Sequence, residues 1–180
     1  MALVLTGSGV ITGLSSQLSD ANMPAGSVLQ VVSTTKTDTS STTSTTYSDI
    51  PGLSVSITPT NSSNKILVLY SVAASNDTFT AALQLMRNST PINIGTAATG
   101  NRLNATLGSF YTYTDYNSIS VQGGNFLDSP ATTSATTYKF QYRVGQSGGG
   151  IVYINRTFNN ADIAYTLLLT STITVMEIAG

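Results

Sequence analysis

LSVSITPTNSSNKILVLYSVAA, residues Leu53–Ala74, decides how this chain is read. Leu53, Val55 and Ile57 alternate with Ser54, Ser56 and Thr58. Successive side chains of an extended backbone point to opposite faces, so this is a strand with one wet face. PTNSSN, Pro59–Asn64, is turn chemistry. From Lys65 to Ala74, Ile66, Val68, Tyr70 and Val72 fall on one side and Leu67 and Leu69 on the other, which predicts a central strand covered on both faces.

The same alternation recurs on both sides of this stretch. Ser27–Ser33 reads as a strand released by Met23-Pro24-Ala25-Gly26, and the Ser/Thr tract Thr34–Thr46 as loop, edge strand or both. Phe79, Ala81, Leu83 and Leu85 alternate into a turn at Arg87–Pro91 that returns as Ile92–Ile94. Leu107–Thr114 and Ser118–Gln122 follow, the second ended by Gly123-Gly124. In Thr137–Val144, Tyr138, Phe140, Tyr142 and Val144 face one way and Lys139, Gln141 and Arg143 the other. Ile151–Asn155, Ala164–Thr170 and Thr172–Ile178 close the chain. The expected fold is an all-β antiparallel sandwich or jelly roll of about eight to ten strands over residues 26–180. Its core should hold Leu53, Val55, Ile57, Ile66, Val68, Tyr70, Leu83, Leu85, Phe140, Tyr142, Ile173 and Val175. Helix enters only near Ser16–Ala21.

Residues 1–25 are of another character. The apolar side chains Leu3, Val4, Leu5, Val10, Ile11 and Leu14 are too few for a core, yet enough to dock on a partner surface or add a strand to an exposed edge. We read this segment as an N-terminal attachment arm. Gly7, Gly9 and Gly13 lack the spacing of a dinucleotide fingerprint, and no βαβ unit follows them.

Composition narrows the function classes. Only 8% of the 180 residues are charged, against 41% hydrophobic, so uncharged Ser, Thr and Asn must supply the wet surface. Seven basic residues, scattered singly in a chain of net charge −1, form no stripe able to neutralise several phosphates, which excludes nucleic acid as a partner. No apolar run approaches the roughly 18 residues of a membrane span, so membrane insertion is not expected. With no histidine and no cysteine, the usual general base and the common zinc ligands are missing. Asp77, Asp115, Asp128, Asp162 and Glu177 are the acids a glycosidase could pair, but all except Glu177 sit in or beside turns, where aspartate caps a bend. Asn76-Asp77 and Asn159-Asn160-Asp162 carry oxygens of the kind calcium takes, and we read them as turn-formers. The sequence thus assigns no catalytic, cofactor-binding or metal-ligating residue, and predicts a protein that is not an enzyme. Phe110, Tyr111, Tyr113, Tyr138, Phe140 and Tyr142 have two readings: filling of the core, or a subunit interface, where a tyrosine combines apolar area with a polar tip.

From Met23 onward the chain resembles the small tail-fibre-like structural proteins of marine tailed bacteriophages, including cyanophages. The resemblance lies in MPAGSVLQVVSTTKTDT, LSVSITPTNSSNKILVLYSV, LQLMRNSTPI, YKFQYRV, YINRTF and the ending STITVMEIAG, with Gly95–Ser134 outside it. It implies a jelly roll similar to the complement and tumour-necrosis-factor fold, associated as a homotrimer about its aromatic strands. It also implies a place on the virion exterior after assembly in the host cytoplasm, among tail or capsid proteins. The role expected first is a tail appendage or fibre, and next a capsid decoration or head fibre; a second class of reading is a carbohydrate-binding module that meets a host surface glycan through loop tyrosines and asparagines.

Overall fold

The structure, a computed structural model, describes residues 4–5, 11–12, 23–77, 80–96, 100–108, 110, 116–145 and 150–180, the first two pairs as backbone only. Within the arm, β1 (Val4–Leu5) and β2 (Ile11–Thr12) pair antiparallel with each other and with neither main sheet. The side chains of Leu3, Val4, Leu5, Val10, Ile11 and Leu14 lie outside the described residues, as do Ser16–Ala21.

The body is an antiparallel sandwich with no helix among the described residues. One six-stranded sheet runs β3 (Val28–Lys36), β13 (Ser171–Ile178), β6 (Lys65–Asn76), β12 (Val152–Ile154), β4 (Ser40–Thr42), with β10 (Ser120–Asp128) also on β6. The five-stranded sheet runs β5 (Ser48–Ile57), β11 (Thr136–Val144), β7 (Ala81–Arg87), β8 (Thr90–Ile92), with β9 (Leu107–Gly108) also on β7. The first and last strands of the body, β3 and β13, are neighbours, and β12 and β13 occupy successive stretches of β6.

The alternation seen in the sequence sets the inner faces. All twelve expected core residues are buried, in one cluster between the sheets. Tyr70 and Phe140 meet edge to face at 5.0 Å, a geometry the ring quadrupoles favour by about 0.5–1.5 kcal/mol beyond area burial. Two inward carboxylates, both opposite Ile66, close the end nearest the arm. Asp128, on the six-stranded sheet, accepts from Tyr138 Oη at 2.7 Å and Arg87 Nη1 at 2.9 Å, both on the five-stranded sheet. Glu177 accepts from Gln30 Nε2, the Thr60 amide and Asn64 Nδ2, each at 2.6 Å, and from Thr60 Oγ1 at 2.9 Å. Each acid therefore ties segments together instead of lying in water, and Asp128 is not the solvated turn acid its neighbours suggested.

Three expectations are corrected. Gly123-Gly124 does not end a strand: β10 runs through it to Asp128. A Cβ on Gly124 would stand 2.7 Å from the Tyr70 hydroxyl, so glycine lets the strand pass over that ring. Ala164–Thr170 is not a strand but part of an exposed excursion between β12 and β13. Leu67 and Leu69, expected to be covered, are only half-buried.

Candidate functional site

The aromatic residues singled out as a subunit interface are placed in the core. Phe110, Tyr138, Phe140 and Tyr142 are all buried within the single chain, so their side chains leave no surface for a second subunit. Tyr111 and Tyr113 lie outside the described residues. Even the polar tips are used internally: Tyr142 Oη donates to Ser41 O at 2.9 Å, and Tyr138 Oη to Asp128. Burial, and then the carboxylate it bonds, hold the Tyr138 phenol far above its usual range, so it is a neutral strut.

Exposed apolar side chains gather instead on the outer face of the six-stranded sheet. There Val31 stands opposite Met176, Met176 opposite Leu67, and Leu67 opposite Leu127. Directly opposed residues of antiparallel strands bring their Cβ atoms to about 5 Å, so these four form one apolar row across β3, β13, β6 and β10. Val31 is 54% and Leu127 49% exposed. The row beside it, Ser33, Thr174, Leu69 and Asn125, is mostly polar, with Ser33 Oγ and Thr174 Oγ1 2.7 Å apart. Val28 and Ile178 extend the apolar area toward the junction with the arm.

The other half of this face is covered by the excursion from Arg156 to Thr170. Asn155 anchors its base: φ is +64°, and Nδ2 donates to the carbonyls of Lys36 and Asp38 at 2.9 Å each. Its Oδ1 accepts from Ser171 Oγ at 2.6 Å, while its own amide bonds Ala73 O and its carbonyl receives Leu169 N. An asparagine suits both demands, tolerating the left-handed region and bonding the backbone on two sides. From there the Arg156 guanidinium stacks 3.9 Å over Tyr153, and Phe158 sits between Tyr153 and Tyr116 at 5.9 and 5.1 Å. Asn159 acts as a turn residue, its Oδ1 accepting from Ala161 N, whereas Asp77 ties the end of β6 to the start of β12, its Oδ1 accepting from Ile151 N at 2.6 Å. The tip of the excursion presents Ile163, Tyr165, Leu167 and Leu168 to solvent, Leu168 at 73%.

The segregation is complete among the described residues. The ten exposed large hydrophobics are Met23, Val28 and Val31, Tyr116, Val121 and Leu127, and Ile163, Tyr165, Leu167 and Leu168. Every one lies on β3, β10 or the excursion, or in a segment leading into those strands, and none on the five-stranded sheet. The outer face of that second sheet is a ladder of amides and ions. Gln84 Nε2 donates to Gln141 Oε1 at 2.8 Å, Gln141 Nε2 to Asp49 Oδ1 at 2.7 Å, and Lys139 Nζ to Asp49 Oδ2 at 2.7 Å. The Lys139 ammonium, and then Gln141, hold the Asp49 carboxyl below its ordinary range.

No protein-family model matches the chain. No curated protein matches it significantly either.

Proposed function

We propose that this chain is a non-enzymatic structural protein of the exterior of a tailed-phage particle, working as a homotrimer. Its role is that of a tail appendage or fibre, ahead of a capsid decoration or head fibre. The observation that carries the reading is the segregation of exposed apolar side chains to one sheet. An apolar row rimmed by polar positions, on a chain whose other face is wet, is the pattern of a buried subunit contact. Closed rotational symmetry would cover the row on every copy at once, and threefold symmetry is what the resemblance to tail-fibre-like proteins implies. The interface is then the β3-β13-β6-β10 face with the excursion, not the aromatic strand β11. Residues 1–25 enter the body beside Val28 and serve as the arm that joins the trimer to its neighbours in the virion.

Sedimentation at micromolar concentration, combined with a density map of the intact particle, tests both halves. The expected outcome is a species of three times 18.7 kDa, and density for the chain on the outer surface. A monomer in solution overturns the assembly, and density inside the head overturns the location.

A further inference from the structure

We propose that β3 of one copy pairs, main chain to main chain, with β10 of the next, so that the trimer is a ring of four-stranded ribbons joined edge to edge. This rests on the trimer argued above and names what joins its copies. β10 and β13 both pair with the stretch Ile66–Ser71 of β6 and so lie on its two sides; with β3 on β13 they form a ribbon β10-β6-β13-β3 whose outer strands are open edges. An open edge is a template for another chain, and edges that stay in water are blunted by proline, bulges or shortness. The other edges here are blunted in these ways. β5 carries Pro51, Gly52 at φ +74° and a register shift against β11, while β4, β8 and β9 are three residues long or fewer. β3 and β10 are nine residues each and hold no proline. The bulge of β3, at Leu29, precedes the regular stretch Gln30–Lys36, and Lys36 is buried, so no charge guards that edge.

The open main-chain groups can be placed residue by residue. Ala73 N donates to Ser171 Oγ and Ala73 O accepts from Asn155 N, so the odd-numbered residues of β6 turn their main-chain groups toward β13 and β12, and the even-numbered ones toward β10. Carried through the registers, the even-numbered residues of β10 bond β6 and those of β3 bond β13. The N–H and C=O groups of Val31, Ser33 and Thr35 therefore point out of one edge, and those of Val121, Gly123, Asn125 and Leu127 out of the other. Among the described residues, no main-chain hydrogen bond from outside the ladders reaches them. The same residues carry the outward side chains, including Val31 and Leu127 at the two ends of the apolar row. Pairing these two sets sets outer face beside outer face and brings the three apolar rows onto one side of the ring. Strand direction agrees: each neighbour in the ribbon is antiparallel, so β3 and β10 run oppositely. Rotation about an axis along the strands then lays β3 of one copy antiparallel to β10 of the next. Threefold contacts are head-to-tail and need two different complementary patches on every copy, which these two edges supply. A twofold pairing of β3 with β3, or of β10 with β10, would leave the other edge bare.

Amide hydrogen exchange by NMR and sedimentation, both on the full chain, test the pairing. In the unaltered trimer the amides of Val31, Ser33, Val121 and Asn125 should exchange as slowly as those of Val32, Thr34, Gln122 and Phe126, which are bonded within the ribbon; on open edges they would exchange about a hundredfold faster. Ser33→Pro and Asn125→Pro each remove one outward N–H from the polar row, where a proline leaves the chain's own ladder intact. Both should keep their thermal transitions and sediment as 18.7 kDa monomers. Ser33→Ala and Asn125→Ala lose the same side chains but keep the N–H, and should remain trimers. Fast exchange of the outward amides in a trimer, trimers that persist in both folded proline variants, or dissociation of the alanine variants would overturn the edge pairing and leave the trimer standing. A dimer protected at one edge alone would overturn the head-to-tail arrangement. An unaltered chain that sediments as a monomer overturns the trimer and the pairing with it.

Discussion

Consider Leu127→Asp, a single charge placed at the end of the apolar row. Leu127 is 49% exposed in the lone subunit, so burying the remainder in a trimer contributes about 1 kcal/mol per copy, half the transfer energy of a leucine side chain. An aspartate there forfeits that gain and adds the cost of an unpaired carboxylate taken out of water, about 3 kcal/mol or more. The penalty is then about 4 kcal/mol per copy and about 12 kcal/mol per trimer, because symmetry applies it three times. At about 1.4 kcal/mol per tenfold, that is between eight and nine decades in the trimer constant. The half-dissociation concentration moves by the square root of this, about four decades, so a nanomolar assembly becomes a monomer at 1 μM, on the order of the concentrations used in sedimentation. The fold should survive, since the site is half in water already and such substitutions typically stay within about 0.5 kcal/mol. Ser54→Asp, the same charge on the exposed face of β5, is the control and should leave the trimer intact. The reasoning fails if Leu127→Asp sediments like the parent chain, or if Ser54→Asp dissociates it equally well.

Three further outcomes are expected. Burial raises the Glu177 carboxyl, but the bonds from Asn64, Gln30 and Thr60 outweigh it and leave the group below its ordinary value of 4.5. Its contribution is therefore complete above about pH 4.5 and is lost as pH falls through the lower folded value. A melting series should show Glu177→Gln losing stability at neutral pH and part of this acid dependence, by about 2 kcal/mol, because with its oxygen kept toward Thr60 and Asn64 the amide NH₂ would face the Gln30 Nε2 donor. Gly124→Ala should cost about 1–3 kcal/mol from its clash with Tyr70, and Tyr70→Phe in the same chain should return much of it. Strict additivity in that double-mutant cycle would argue against the contact. Deleting residues 1–22 should leave the body folded, since its sheet begins with Gly26 N on Ala179 O, while abolishing incorporation into particles. Loss of the thermal transition, or incorporation at full copy number, would refute the arm's role.

Much of the fold was legible because alternation is a local signal. Leu53, Val55 and Ile57 announce their face within five residues, and the structure buries all three. What failed depended on partners distant in the chain. Gly123-Gly124 reads as a break until Tyr70 is placed across from it. Ala164–Thr170 has strand composition, but an asparagine at its base and stacking on Tyr153 lift the segment off the sheet. The same limit hid the exposed apolar row. The β11 aromatics share one parity, and that parity is the core's. Leu67 and Leu69 show a strand apolar on both sides, a pattern that does not distinguish cover by the same chain from cover by another copy. Val31, Met176, Leu67 and Leu127 become a row only when four strands, far apart in sequence, are set in register.

The distribution of charge says what kind of force should hold the proposed trimer. Of the three ion pairs among the described residues, Lys139–Asp49 lies on the outer face of the five-stranded sheet and Arg87–Asp128 ties the two sheets together. Lys36–Asp38 stands at the end of β3 remote from the arm junction. None joins the apolar row. Association through Val31, Met176, Leu67 and Leu127 would then be hydrophobic, with little for salt to screen. A trimer held by surface ion pairs would loosen as the Debye length shrinks toward about 3 Å in 1 M salt. This one should be unmoved by sodium chloride and tightened by sulfate, which strengthens apolar burial. Sedimentation across a salt series reads the difference directly. Dissociation on adding sodium chloride would mean that charged side chains, not the apolar row, carry the contact.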